Sequence, residues 1–158
     1  TVAKNPASPI ANTSLGTLRG DQGRWLEARE LLLRAITLDD EYAEAYNNLA
    51  IVDGELGNMQ QSYDHIQKAI QLQPGYAKAY FNLAIWFDHQ ANLPRAQAAL
   101  EKALSLQPAF PQAHNRLGMV LFRLGKRKES MDHFQEALKL DPEYEEARLN
   151  MSRAKMAP

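Results

Sequence analysis

Residues 41–74 read EYAEAYNNLAIVDGELGNMQQSYDHIQKAIQLQP, and residues 75–108 read GYAKAYFNLAIWFDHQANLPRAQAALEKALSLQP. Laid one over the other, the two stretches end on the same residue, Pro74 and Pro108. A third proline follows at 142, and Asp40 holds the corresponding place before the first, so a stop recurs every 34 residues. A period of this length marks an array of helical hairpins. Each hairpin is too small to bury its own apolar face, so neighbours must stack, and the stack leaves an inner wall free to bind.

Other landmarks keep the same register. Small residues recur at Ala35, Ala69, Ala103 and Ala137, and again at Ala28, Ser62, Ala96 and Ser130, where close helix crossings need them. Leu15, Leu49, Leu83 and Leu117 are each followed by a small residue, Gly16, Ala50, Ala84 and Gly118, a knob beside a hole for interdigitating helices. Turns are expected at Gly23, Gly57 and Gly125. Ala91 stands in the glycine place of the third unit, and there Asn92 and Pro94 are expected to make the break instead.

This pattern resembles the tetratricopeptide repeat. Tyr46, Leu49, Ala50, Gly57, Ser62, Ala69 and Pro74 match in the second unit, and Tyr80, Leu83, Ala84, Ala96, Ala103 and Pro108 in the third. His114, Leu117, Gly118, Gly125, Phe134, Ala137 and Pro142 match in the fourth, and Leu15, Gly16, Gly23, Ala28 and Ala35 in the first. The resemblance implies an all-α fold, a right-handed α-solenoid of four helix-turn-helix units (about 10–40, 41–74, 75–108 and 109–142). Residues 1–9 are expected as an extended N-terminal linker. Residues 143–158 are expected as a C-terminal capping helix over Glu143–Met156, with Glu145, Glu146, Arg148, Arg153 and Lys155 on its polar outer side.

Within the array the first helix is expected from Ile10 to Asp21 and the second from Arg24 to Thr37. Thr13, Ser14, Gly16, Thr17 and Gly20 make the first a poor intrinsic helix. Either something upstream covers it, or packing on Leu31, Leu32 and Ile36 of the second helix suffices. The chain opens with Thr1 and a loop-like Asn5-Pro6-Ala7-Ser8-Pro9, and reads as a segment of a longer protein.

Composition narrows the function. The net charge of −1 gives no electrostatic footprint for nucleic acid. No apolar run approaches the ~18 residues a membrane helix needs. Without cysteine there is no disulfide framework or thiolate metal site, which permits cytoplasm and periplasm alike, the cytoplasm slightly favoured. His65, His89, His114 and His133 fall in different columns of the repeat with no acidic partner at ligand spacing, and His114 takes a packing place held elsewhere by Tyr46 and Tyr80. The expectation is a non-enzymatic chain with no cofactor and no metal.

Binding is therefore expected on the inner wall, made by the first helix of each unit. Counting places from Ala43 in the second unit and Ala77 in the third, the sixth place reads Ser14, Asn48, Asn82, Arg116 and then Asn150. A row of carboxamides offers donors and acceptors to the backbone of an extended peptide, and the resemblance supports that use. Inter-helix hydrogen bonding is the alternative reading. The ninth place reads Thr17, Ile51, Ile85 and Met119, with Phe81 and Phe122 nearby. The thirteenth reads Asp21, Glu55, His89 and Arg123, and Lys78 and Arg116 add positive charge to the later half while Glu44 adds negative charge to the earlier half. An acidic ligand group is expected over Lys78, Arg116 and Arg123.

The family's clamp for C-terminal carboxylates of chaperones is matched only in part. Asn82 and Arg116 fit one register where Asn47, Ile51 and Gln112 do not. Asn48 and Lys78 fit the earlier one where Thr13 and Thr17 do not. Chaperone-tail binding is disfavoured. The expected peptide-binding set is Asn47, Asn48, Ile51, Lys78, Phe81, Asn82, Ile85, His89, Asn115, Arg116, Met119 and Arg123, with a protein or peptide as partner. Two alternatives stand beside it. One is a self-associating scaffold, a homo-oligomer using its ends or residues 1–9 in a neighbour's groove. The other is a regulatory appendage of a larger enzyme or membrane protein such as a glycosyltransferase.

Overall fold

The structure, a computed structural model, describes residues 8–156; the expected N-terminal linker lies, apart from Ser8 and Pro9, outside the described residues. The described residues form helices and turns without strands: α1 Pro9–Asp21, α2 Trp25–Leu38, α3 Ala43–Glu55, α4 Met59–Leu72, α5 Ala77–His89, α6 Leu93–Leu106, α7 Pro111–Arg123, α8 Arg127–Leu140 and α9 Glu145–Met156. Pro74, Pro108 and Pro142 each stand two residues past the end of α4, α6 and α8, where a missing N–H costs no helical bond. The chain divides within α5 into two compact units, residues 1–82 and 83–158.

In unit 1, Ser8 caps α1 by accepting from the Ala11 N–H at 3.4 Å, and Pro9 occupies the first turn, so the helix begins one residue ahead of Ile10. The poor helix formers of α1 have a packing reason. A Cβ on Gly16 would lie 2.9 Å from Leu32 Cγ, so the glycine lets α1 close onto α2. Leu32, Ala28, Leu49 and Val52 form the core, with Trp25, Leu33, Ile36 and Leu56 packed against it. Ser62, a small residue at a crossing, donates its hydroxyl to the Ala50 carbonyl at 2.8 Å.

In unit 2 the same construction carries a larger knob. A Cβ on Gly118 would meet Phe134 Cε1 at 2.6 Å, so the hole beside Leu117 is filled by the fully buried Phe134 ring. The turn at Ala91 differs from expectation. Ala91 itself takes the left-handed conformation, φ 54°, as Gly23, Gly57 and Gly125 do at φ 72°, 79° and 77°. Asn92 then caps α6 by accepting from the Arg95 N–H at 3.3 Å. The turn is kept at a steric cost and not replaced.

The last helix starts at Glu145, two residues after the expected Glu143. The Asp141 carboxylate accepts from the Glu143 N–H at 3.1 Å, and that turn absorbs Glu143 and Tyr144. On α9, Ala147 and Ala154 are buried, while Glu145, Glu146, Arg148, Arg153 and Lys155 are exposed. Arg127 donates to the Lys155 carbonyl at 2.8 Å and ties down the end of this helix.

Candidate functional site

The carboxamides of unit 1 form a directed hydrogen-bond chain. Asn82 Nδ2 donates to Asn47 Oδ1 at 2.8 Å, and Asn47 Nδ2 donates to Asn48 Oδ1 at 3.2 Å. Asn48 Nδ2 donates to Thr17 Oγ1 at 3.0 Å, and Thr17 donates to the Thr13 carbonyl at 3.0 Å. The chain thus crosses from α5 through α3 to α1 and fixes the orientation of each amide. Unit 2 repeats its first step: Asn150 Nδ2 donates to Asn115 Oδ1 at 3.0 Å, and Asn115 Nδ2 to the Tyr144 hydroxyl at 3.3 Å. Burial and its neighbours push the Tyr144 hydroxyl above its ordinary pKa, so it stays a neutral partner.

These bonds run obliquely, from the sixth place of one helix to the fifth place of the one before. Asn47 and Asn115 were expected to face a ligand. Both are only 2% exposed, so they carry inter-helix bonds and orient Asn82 and Asn150. Asn48 and Asn82 are half-buried, and the Asn82 carbonyl oxygen is without a partner among the described residues. Beside them in unit 1, Ile51 and Lys78 are exposed and Phe81 is half-buried.

In unit 2, Ile85, Arg116 and Met119 are half-buried and His89 and Arg123 exposed. The charges there are not free in the way expected. Asp88 pairs closely with Arg123 and lies 3.8 Å from Arg116 Nη1, so one carboxylate half-neutralises both guanidiniums. Lys78, in unit 1, makes no ion pair among the described residues.

Three polar groupings were not legible in the columns. Asp53, fully buried, receives Arg29 Nε at 2.7 Å, His65 Nδ1 at 3.0 Å and Asn58 Nδ2 at 3.3 Å. His65 therefore has an acidic partner, 12 residues back in the chain and so outside the ligand spacing at which none was expected. The signal was an aspartate in a column whose later members, Phe87 and Leu121, are core residues.

The second grouping joins two histidines. His114 Nε2 faces the Pro108 carbonyl at 3.0 Å and must donate to it, leaving His114 Nδ1 to accept from His133 Nδ1 at 3.0 Å. The ring centres are 5.2 Å apart, so the facing nitrogens meet nearly head-on, a hydrogen-bond geometry and not the converging one of two metal ligands. Burial, reinforced by His114, lowers the His133 pKa. Among the described residues no group of three or more histidines or carboxylates is placed to hold a metal ion.

The third grouping is a cleft of about 450 Å³ bordered by Glu41, Tyr42, Glu44 and Tyr76. Tyr42 donates to Glu44 at 2.8 Å, and burial and then this bond push its hydroxyl up to about 12. Burial, with Glu44 adding to it, takes Tyr76 to about 12 as well. Both stay protonated at neutral pH and supply donors but no nucleophile.

Among the described residues no helix is long and apolar enough to cross a membrane. No curated protein sequence matches the chain. Solved structures do. A crystal structure of MamA is similar at 30% identity over 89% of this chain and 82% of its own, with a TM-score of 0.72. A thermophilic tetratricopeptide protein of Thermus thermophilus is similar at 20% identity over 99% of this chain and 86% of its own, with a TM-score of 0.89. YrrB, described as a tetratricopeptide protein with an unusual peptide-binding site, has 20% identity over 97% of this chain and 79% of its own, with a TM-score of 0.69. Two family models of the tetratricopeptide repeat match residues 41–109 and 111–144. With paired helices, glycine-type turns and proline stops in this register, the chain is an all-α solenoid that belongs to the tetratricopeptide repeat family, whose members are generally protein–protein interaction modules.

Proposed function

We propose that the chain is a non-enzymatic interaction module that takes an extended peptide segment of a partner protein along the first helices of its hairpins. The observation that carries this reading is the amide chain of unit 1. It holds Asn48 and Asn82 in fixed orientations beside the exposed Ile51 and Lys78. An extended peptide offers alternating N–H and C=O groups, which suit the Asn82 carbonyl oxygen and the second N–H of each carboxamide. Amides already ordered by the fold lose little entropy on binding. In unit 2, Ile85, Met119, His89 and Arg123 would contact side chains of the partner, with Arg116 and Arg123 steered by Asp88. Peptide binding in YrrB, which shares the fold, supports the reading by analogy.

The test is selection from a phage-displayed library of linear peptides, followed by fluorescence anisotropy with the enriched peptide. Lys78→Glu and His89→Glu alter exposed side chains, so the fold should keep its melting temperature while affinity falls about tenfold, ~1.4 kcal/mol. Absence of enrichment, or an enriched peptide indifferent to both variants, overturns the reading.

A further inference from the structure

Unit 1 has a pocket of about 360 Å³ whose floor is Gly16, Gly20, Leu32 and Trp25 and whose lip carries Asp21 and Ile51. Gly20 helps to open it. The twelfth place of the repeat reads Gly20, Gly54, Asp88 and Phe122 in α1, α3, α5 and α7, so a large apolar side chain, half-buried, stands there only in α7. At Gly20 no side chain projects, and a Cβ there would come 3.3 Å from Trp25 Cζ3. The space left over Trp25 is apolar on its floor, and a cavity of about 150 Å³ already admits a benzene ring. Ile51, 44% exposed, extends the apolar surface outward.

The lip is negative. α1 ends at Asp21, so the negative end of the helix dipole lies beside the carboxylate, although the Leu18, Arg19 and Gly20 carbonyls there accept the N–H groups of Gln22, Arg24 and Gly23. Asp21 lines the pocket, and Glu55, at the same place in the next hairpin though not in the lining, adds to the charge of this side of unit 1; both are exposed and make no ion pair among the described residues. The nearest arginines in sequence are engaged: Arg24 lies 2.6 Å and Arg19 3.6 Å from Glu27.

We propose that this pocket is the anchor site for a large apolar side chain, phenylalanine or leucine, of a partner peptide in which that residue is flanked by lysine or arginine. Apolar burial over Trp25 supplies the anchor and the acidic lip selects the flank. This rests on the peptide-binding reading above and adds to it a place, a side chain and a charge.

The experiment is an amide and indole NMR titration of the chain with the peptide acetyl-Ser-Lys-Phe-Lys-Ser-amide. Two control peptides carry alanine for the phenylalanine or glutamate for both lysines. Trp25 and Trp86 are the two tryptophans, so the Trp25 indole N–H reports on the pocket. The basic phenylalanine peptide should shift the Trp25 indole and the Gly20 amide, and each control should bind about tenfold more weakly. Gly20→Ala should weaken binding by a similar factor, and Asp21→Lys, which alters only an exposed side chain, should remove the preference for lysine over glutamate. Shifts confined to other parts of the inner helices, with Trp25 unmoved, overturn the pocket and leave the peptide-binding reading standing. Equal affinity for the glutamate peptide also overturns it, as does a Trp25 shift that depends on protein concentration alone, which would assign the pocket to a second copy. No shift with any of the three peptides, together with no library enrichment, overturns both.

Discussion

Asn82 Nδ2 reaches across from α5 to donate to Asn47 Oδ1 at 2.8 Å, and the accepting oxygen belongs to a side chain only 2% exposed. A bond of this kind is worth most when it is broken on one side, because the buried partner then has neither protein nor water.

Asn82→Ala should therefore destabilise the chain by about 1–3 kcal/mol in urea unfolding, more than a half-exposed inner-face residue ordinarily would. The double change Asn47→Ala with Asn82→Ala should cost less than the sum of the two singles, since it removes both ends of the bond. Strict additivity would count against the chain of amides as a coupled unit.

Asp53 sits in a column of core residues and is held there by Arg29, His65 and Asn58. Arg29→Met should cost about 3 kcal/mol, because it leaves a fully buried carboxylate with only His65 and Asn58. Asp53→Leu, which follows the apolar habit of Phe87 and Leu121 at the same place, should cost clearly less. Thermal melts of the two variants at neutral pH decide the order.

The His114–His133 pair gives unit 2 a response to mild acid. The folded state lowers the His133 pKa below its ordinary 6.5, through burial first and His114 second. The unfolded chain then binds the proton more readily, so stability is full above about pH 6.5 and declines as pH falls from there through the folded value. His133→Phe should flatten that part of the stability–pH curve. A variant with the same slope between pH 7 and 5 would place the dependence elsewhere.

Ala91 holds a left-handed backbone conformation that glycine holds in the other three turns. Relief of the Cβ strain, roughly 1–2 kcal/mol, outweighs the extra freedom glycine brings to the unfolded chain. Ala91→Gly should raise stability by roughly 0.5–1 kcal/mol, read as a melting temperature higher by a few degrees.

The parts of this molecule that could be read from sequence are those that repeat in place. Pro74, Pro108 and Pro142 end helices, Ala28 and Ser62 sit at crossings, and Gly118 receives Phe134, because the same backbone geometry recurs every 34 residues and demands the same residue type. What escaped was whatever runs between places. Asn82 meets Asn47 and Asn150 meets Asn115 across a step of 35 residues, invisible when columns are compared one at a time. His114 and His133 meet between the two helices of one hairpin, far outside helical ligand spacing. Asp88, which stands in none of the columns expected to bind, is the shared partner of Arg116 and Arg123. The left-handed Ala91 was hidden for another reason: the pull of the surrounding hairpin overrode a local preference that pointed to a different turn.

The contrast between Gly20 and Phe122 also bears on how such an array diversifies. The same place holds Gly54 and Asp88 in the hairpins between, and all four hairpins keep the same turn and the same proline-type stop, so the array accommodates very different side chains there. A lineage could open or close a receptacle for a new side chain by changing one codon wherever the facing residue can give way, as Trp25 would have to at Gly20. Because Asn48, Ile51 and Val52 of the next hairpin also line this receptacle, two adjacent hairpins would have to travel together to carry it along the array as a cassette.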